Sequence, residues 1–293
     1  MDSLTIASLR NSQETGLRLA VLGDPVDHSL SPSMQNAGLE LLHLPYRYGR
    51  LHVRPDDLAE AFGLLRERDF IGWNLTIPHK RAALGLLDGL DPAAERLGTV
   101  NTIVNQSGRL FGFNTDGPGF LAAVDEAFGC DLFAARIAVV GAGGGAGQAI
   151  VRCLSHLGVP SLILVNRTVA KIEKLADELA GCSKTAFRIE EWGNLARVCQ
   201  DSDLMVNASS VGLDGEDVHD RWSALEPRHL VFDMVYGSGE TSLVRFARHK
   251  GARATDGLLM LLHQGVLAFE IWFGRPAPER AMRKALWRAA GRP

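Results

Sequence analysis

Cysteine is scarce in this 293-residue sequence, and its four thiols, Cys130, Cys153, Cys182 and Cys199, form no C-x-x-C pair. That spacing argues against zinc ribbons and redox dithiols, and a chain of this length is no disulfide scaffold. No metal site is expected. An excess of one charge is also lacking, since 31 Lys and Arg against 34 Asp and Glu leave a formal net charge of −3. Without a basic field, neither nucleic acid nor an anionic membrane is an expected partner. Long hydrophobic runs are absent: the most apolar stretch, Leu258–Phe273, carries His263, Gln264 and Glu270, too polar and too short to span a bilayer. The segment from Met1 to Gly16 holds Asp2 and Glu14 and no apolar core, so it does not read as a signal peptide. A reduced, cytoplasmic setting is expected. No G-x-S-x-G elbow occurs, which argues against an activated-serine hydrolase. Internal repeats and low-complexity segments are missing too.

What is present is the mixture of an ordinary globular protein, 46% hydrophobic and 22% charged. Chains of this size usually split into more than one core, so two domains are expected. Apolar runs rich in branched residues alternate with helical patterns. Leu17–Gly23, Tyr46–Val53 and Phe70–Ile77 read as strands, with helices at Pro32–His43 (Ser31 as its cap) and from Pro55 to Arg68. Thr99–Val104 and Leu110–Asn114 flank a hairpin signal, Asn105-Gln106-Ser107-Gly108. A second series follows from Arg136, with strands at Ile137–Val140, Leu162–Val165, Lys184–Ile189, Leu204–Asn207 and Leu230–Met234. Two closing helices are expected at Leu258–Phe273 and Pro278–Ala290. The fold class is α/β with mainly parallel sheets, and Gly117-Pro118-Gly119 reads as the break between the two series.

The sequence Val140-Gly141-Ala142-Gly143-Gly144-Gly145-Ala146-Gly147 lies between a strand and a helix, the context in which a glycine fingerprint marks a dinucleotide site. Gly141 suits the tight turn, and Gly143 lets the backbone approach a pyrophosphate lying at the helix N-terminus. No Lys-Ser or Lys-Thr follows, so this is not a P-loop. One residue more than G-x-G-x-x-G leaves open whether Gly144, Gly145 or Gly147 takes the last role. The next strand ends in Asn166-Arg167-Thr168, with Lys171 a turn later, where an NAD site usually carries Asp or Glu. A guanidinium there suits a 2′-phosphate, so NADP is the expected cofactor.

In the first half, polar residues gather at strand ends and turns: Ser29-Leu30-Ser31-Pro32, Asn74-Leu75-Thr76-Ile77-Pro78-His79-Lys80, Val100-Asn101-Thr102 and Asn114-Thr115-Asp116-Gly117. Hydroxyls, amides, one lysine and one aspartate meeting in a cleft suit a small polyhydroxylated substrate. Each also has a plainer reading: Ser31 and Asp116 as helix caps, Asn101 and Asn114 as turn residues, Lys80 as a surface lysine. His79, next to Lys80 on a helix, is expected to point elsewhere and to be structural.

These segments, with the glycine turn, Asn166-Arg167-Thr168 and Asp256-Gly257…Gln264, occur in an order that resembles the shikimate dehydrogenase family from about Leu19 to Phe273. The resemblance implies a reversible NADP-dependent interconversion of 3-dehydroshikimate and shikimate. It implies Lys80 and Asp116 as the catalytic pair, and Ser29, Ser31, Asn74, Thr76, Asn101, Gln264 and Tyr236 as substrate contacts. Gly141, Ala142, Gly143, Gly144, Gly145, Asn166, Arg167, Thr168 and Lys171 would hold NADP. It further implies a discontinuous substrate-binding domain, residues 1–116 with 257–293, the C-terminal helices packing back on it, and a Rossmann-like domain over residues 117–256. The segment up to Gly16 lies outside the resemblance and has no assignable role.

The chemistry agrees with that assignment. Oxidising a secondary alcohol requires removal of a hydroxyl proton, a task for a lysine steered by partial burial and held by an aspartate. The hydride chemistry belongs to the cofactor. Two alternatives stand beside it. One is a dehydrogenase of quinate or another cyclic polyol acid, against which the paired serines and the expected NADP weigh. The other is a dinucleotide-binding sensor, which would need neither Lys80 nor Asp116. A monomer or homodimer is expected.

Overall fold

A computed structural model describes residues 3–11, 16–209, 211 and 221–293. Part of the N-terminal segment considered above, residues 1–2 and 12–15, lies outside the described residues. The chain forms two compact units, Met1–Gly119 with Leu261–Pro293, and Phe120–Met260.

The first unit begins with β1 (Leu4–Thr5), α1 (Ile6–Asn11), β2 (Leu17–Gly23), α2 (Ser31–Leu41), β3 (Arg47–His52) and α3 (Leu58–Glu67). It continues through β4 (Gly72–Leu75), α4 (His79–Ala82), β5 (Gly89–Leu90), α5 (Pro92–Leu97), β6 (Thr102–Gln106) and β7 (Arg109–Phe113) to the start of α6 (Asp116–Phe128). Its sheet has the order β1-β3-β2-β4-β6-β7-β5. Pairing is parallel except for β4 with β6 and β6 with β7. β6 and β7 form the expected hairpin, where Ser107 (φ 54°) and Gly108 (φ 88°) match the primed turn that follows strand twist. Leu22, Trp73, Ile103 and Leu110 fill the core beneath α3.

The second unit holds β8 (Ile137–Val140), α7 (Gly145–Leu157), β9 (Ser161–Asn166), α8 (Val169–Ala180), β10 (Ala186–Glu191), α9 (Leu195–Gln200), β11 (Leu204–Asn207), β12 (Leu230–Asp233), α10 (Ser242–His249) and β13 (Arg253–Asp256). All six strands are parallel, in the order β10-β9-β8-β11-β12-β13. That is the doubly wound arrangement, whose ligands bind at the carboxyl ends of the strands beside the first one, β8. Ala138, Val140, Val165, Met205 and Val231 are buried on one face of that sheet.

The chain then runs through α11 (Leu258–Phe273) to α12 (Glu279–Ala289). In the first unit α12 packs on α2, and Trp272 Nε1 donates to the Ile103 carbonyl at 2.9 Å. A Cβ on Gly72 would stand 2.3 Å from that indole nitrogen, so the small residue admits the tryptophan. Among the described residues no helix is long and apolar enough to cross a membrane.

Three local expectations differ from the structure. Ser31 is not the cap of α2: the cap position is Leu30, and Ser31 lies buried in the first turn. Gly117-Pro118-Gly119 lies where the break was expected, but it is helical rather than a loop: it is part of α6, with proline in the first turn, where its missing N–H costs no helical bond. The division between units falls within that helix, after Gly119, and within α11, after Met260. The strand expected at Phe70–Ile77 shortens to Gly72–Leu75, because its partner β2 ends at Gly23 and the chain turns into Pro25.

Candidate active site

In the first unit β4, β6, the start of α6 and α11 bring the predicted polar residues together. Lys80, on α4, donates from Nζ to Asp116 Oδ2 at 2.7 Å. The lysine side chain keeps 33% of its surface exposed and the aspartate 12%, so the pair is accessible at its amine end. Asp116 is not a cap, since Asn114 Oδ1 accepts from the Gly117 N–H at 3.2 Å and does that work. Its carboxylate is thereby left for Lys80.

Asn101 is the hub behind this pair. Its Nδ2 donates to Thr115 Oγ1 at 2.9 Å and to Gln264 Oε1 at 3.5 Å, while its Oδ1 accepts from the Thr115 N–H at 2.7 Å. Gln264 spends its own amide nitrogen on the Leu261 carbonyl at 2.7 Å. Asn74 donates through Nδ2 to the Asn101 carbonyl and to Thr102 Oγ1, both at 3.0 Å, and accepts from Tyr48 Oη at 2.7 Å. Both amide hydrogens of Asn74 are thus committed within the protein, leaving a lone pair on Oδ1 for a substrate hydroxyl. Thr76 lies just past β4, half-buried against Gly23, whose added Cβ would meet Thr76 Cγ2 at 2.3 Å. Ser29 Oγ accepts from the Ser31 N–H at 3.3 Å. His79 is buried and turned away, its Nε2 paired with the Val53 carbonyl at 2.8 Å. Burial holds its pKa below the ordinary histidine value.

In the second unit the glycine turn tightens between β8 and α7. Gly141 has φ 82°, open to glycine at little cost, and its N–H donates to the Val165 carbonyl at 2.8 Å. The close-packing role left open above falls to Gly147, where a Cβ would lie 2.3 Å from the Gly141 carbonyl oxygen. Space is open above Gly145, and Gly144 caps α7 with no side chain. The first-turn N–H groups of Gly145, Ala146 and Gly147 have no acceptor within the helix, the donor set of a pyrophosphate site. Ala142 is fully buried with its N–H on the Val165 carbonyl, so it shapes the turn. Asn166 braces it: Oδ1 accepts from the Gly143 N–H at 3.3 Å, and Nδ2 donates to the Thr168 carbonyl at 2.9 Å.

Arg167, Thr168 and Lys171 are exposed beyond β9. Arg167 lines a cleft of about 350 Å³ with Trp192, Gly193, Leu195, Ala196 and Arg221. The Arg221 guanidinium lies 5.9 Å from the Trp192 ring centre. Two guanidiniums and an indole suit a phosphorylated adenosine, through charge-assisted bonds and ring stacking. The residues present therefore fit NADP.

Tyr236 belongs to the second unit, after β12, with its ring against Gly257. Burial raises the pKa of its hydroxyl.

Comparison with known proteins bears on the whole chain. Family models match in sequence order: the shikimate dehydrogenase substrate binding domain over residues 21–103, shikimate / quinate 5-dehydrogenase over residues 123–219, and the shikimate 5′-dehydrogenase C-terminal domain over residues 257–286. A shikimate dehydrogenase (NADP(+)) of Moorella thermoacetica is 41% identical over 290 residues, covering 95% of this chain and 96% of the relative. This chain belongs to the shikimate dehydrogenase family. Among solved structures, shikimate 5-dehydrogenase of Thermus thermophilus, in complex with NADP(H) and shikimate, superposes with TM-score 0.80 at 37% identity, covering 93% of this chain and 99% of that one. A quinate dehydrogenase of Corynebacterium glutamicum in complex with NAD gives TM-score 0.81 at 28% identity, covering 98% of this chain and all of that one.

Within this shikimate dehydrogenase family chain, sequence reasoning passed over Tyr48, Thr102 and Thr115, which orient the amides, and Trp192 and Arg221, which complete the cleft. The two threonines stood inside quoted motifs. The other three carry no local signature, because only tertiary packing brings them to the site.

Proposed function

We propose that this chain catalyses the reversible, NADP-dependent reduction of 3-dehydroshikimate to shikimate, its first unit binding the substrate and its second the dinucleotide. The observation that carries the reading is the 2.7 Å Lys80–Asp116 contact set against the amides of Asn74, Asn101 and Gln264. NADPH, when bound, supplies the hydride and NADP takes it back. The Lys80 ammonium hydrogen-bonds the ketone oxygen and passes it a proton as the carbonyl carbon becomes a secondary alcohol. In the reverse direction the same amine receives the hydroxyl proton. Asp116 holds and orients the ammonium throughout. Asn101 and Gln264 fix the ring hydroxyls, and Ser29, Ser31 and Thr76 receive the carboxylate. On the dinucleotide, Gly144 and Gly145 leave room for the pyrophosphate while Gly143 packs against Asn166, and Arg167, Thr168 and Lys171 receive the 2′-phosphate.

Initial rates with shikimate and quinate, each with NADP and NAD, test this. The highest kcat/KM is expected for shikimate with NADP. Equal or better turnover of quinate with NAD would replace the reading by a catabolic polyol-acid dehydrogenase.

A further inference from the structure

Three donors converge on one buried carboxyl group in the second unit. Asp233, at the end of β12, accepts from Thr241 Oγ1 at 2.7 Å through Oδ2. Through Oδ1 it accepts from Asn207 Nδ2 at 2.9 Å and from the Val235 N–H at 3.2 Å. An ionised aspartate accepts at both oxygens and donates at neither, which is what three donors require.

The partners belong to two loops. Asn207 ends β11 and shapes the turn that follows it. Its Oδ1 accepts from Ser209 Oγ at 2.6 Å and from the Ser209 N–H at 3.2 Å, while its Nδ2 also donates to the Val211 carbonyl at 3.3 Å. Thr241 opens α10, where its Oγ1 accepts from the Val244 N–H at 3.2 Å. Between the buried Asp233 and the buried Thr241, the chain from Met234 to Glu240 is partly or fully exposed. The Thr241 bond closes that loop at its base, and the Asn207 bond ties it to its neighbour.

Both loops leave the carboxyl ends of strands, the edge at which a sheet of this kind takes its dinucleotide. The first is seated on the glycine turn: a Cβ on Gly141 would stand 2.7 Å from the Ser209 nitrogen and 2.9 Å from the Ala208 carbonyl carbon. Ala208 and Ser209 keep partial exposure there. A doubly wound sheet divides a dinucleotide between two mononucleotide halves. The half built on β8, β9 and β10 carries the glycine turn and Arg167, which the NADP reading gives to the pyrophosphate and the 2′-phosphate. The half built on β11, β12 and β13 is left for the nicotinamide nucleotide, and its first two loops are the ones that Asp233 joins.

We infer that Asp233 is a positioning residue for the nicotinamide half of the cofactor: its carboxylate locks the loops after β11 and β12 to each other and holds both at the cofactor edge of the sheet. The inference rests on the NADP reading above. Asp233 is buried, so it acts through the loops and not by contact.

The test measures Kd for NADP and for adenosine 2′,5′-bisphosphate, which lacks the nicotinamide half, by isothermal titration calorimetry. It uses the full-length wild type, Asp233→Asn, Thr241→Val and Thr241→Ser at pH 8, where the Asp233 carboxyl is ionised. Asp233→Asn keeps the size of the side chain but presents an amide where Thr241 needs an acceptor. It should weaken NADP about tenfold, the scale of one hydrogen bond to a charged group, and leave the bisphosphate within about twofold. Thr241→Val should do the same, and Thr241→Ser, which keeps the hydroxyl, should recover most of the loss. Equal weakening of both ligands, or of neither, overturns the inference and leaves the NADP reading standing. Wild type that binds neither ligand overturns both. Should Asp233→Asn fail to fold, the two Thr241 variants decide by the same comparison.

Discussion

Lys80 and Asp116 are 2.7 Å apart, and the proposed reaction needs a proton moved at the lysine amine. Replacing Lys80 with Ala is expected to lower kcat by about 10²- to 10⁴-fold with a small change in KM, the range for loss of one general acid–base group. Steady-state kinetics on the purified variant check this. A different carboxyl group sets a pH dependence of stability. Asp233, fully buried at the end of β12, accepts from Thr241 Oγ1 at 2.7 Å and Asn207 Nδ2 at 2.9 Å. Desolvation still dominates and pushes its pKa up to about 6, with help from the nearby Asp256. A carboxyl raised in the folded state stabilises most below its ordinary range and loses that contribution as pH rises through 6. The shift corresponds to about 3 kcal/mol. Asp233→Asn keeps the neutral form at every pH, so its stability relative to wild type should improve from pH 4 to pH 7, measured by urea unfolding at each pH.

Helices and strands carry the next scale. A Cβ at position 147 would sit 2.3 Å from the Gly141 carbonyl oxygen, whereas one at position 145 would meet nothing within 4 Å. Gly147→Ala should therefore cost about 1–3 kcal/mol in urea unfolding, as overpacking does, and Gly145→Ala should cost nothing measurable. The β8–turn–α7 element was legible in the sequence because an apolar run, a glycine cluster and a 3.6-residue pattern follow one another without ambiguity. Lys80 and Asp116 were legible through the segments that carry them. The cap roles were not: Ser31 and Asp116 both precede helical patterns, and only the structure shows Leu30 and Asn114 in their place. β13, short and headed by an arginine, offered too few apolar positions for a periodic signal. Tyr48 and Arg50 alternate correctly on β3, but their partners are 26 and 21 residues away in sequence. No local pattern encodes that.

At the scale of the whole molecule, each unit has a hydrophobic core of its own, one around Trp73 and Ile103, the other around Val140 and Val231. Adenosine 2′,5′-bisphosphate, which carries only the adenine-side half of the cofactor, is expected to slow amide hydrogen exchange in the β8–α7 and β9–α8 turns. The strands of the first unit, residues 17–113, should keep their exchange rates, and NMR or mass spectrometry would read both. Ligand-linked protection of this kind follows binding to the folded unit alone.

The first unit is also sewn from two separate stretches of sequence, residues 1–119 and 261–293, with Trp272 bonded to Ile103 across 169 positions. On the ribosome, the nucleotide-type unit has all of its chain once Met260 emerges, while the unit bearing Lys80 waits for the closing helices. A nascent chain halted there would still lack part of the unit that carries Lys80, which is completed only once residues 261–293 have been made.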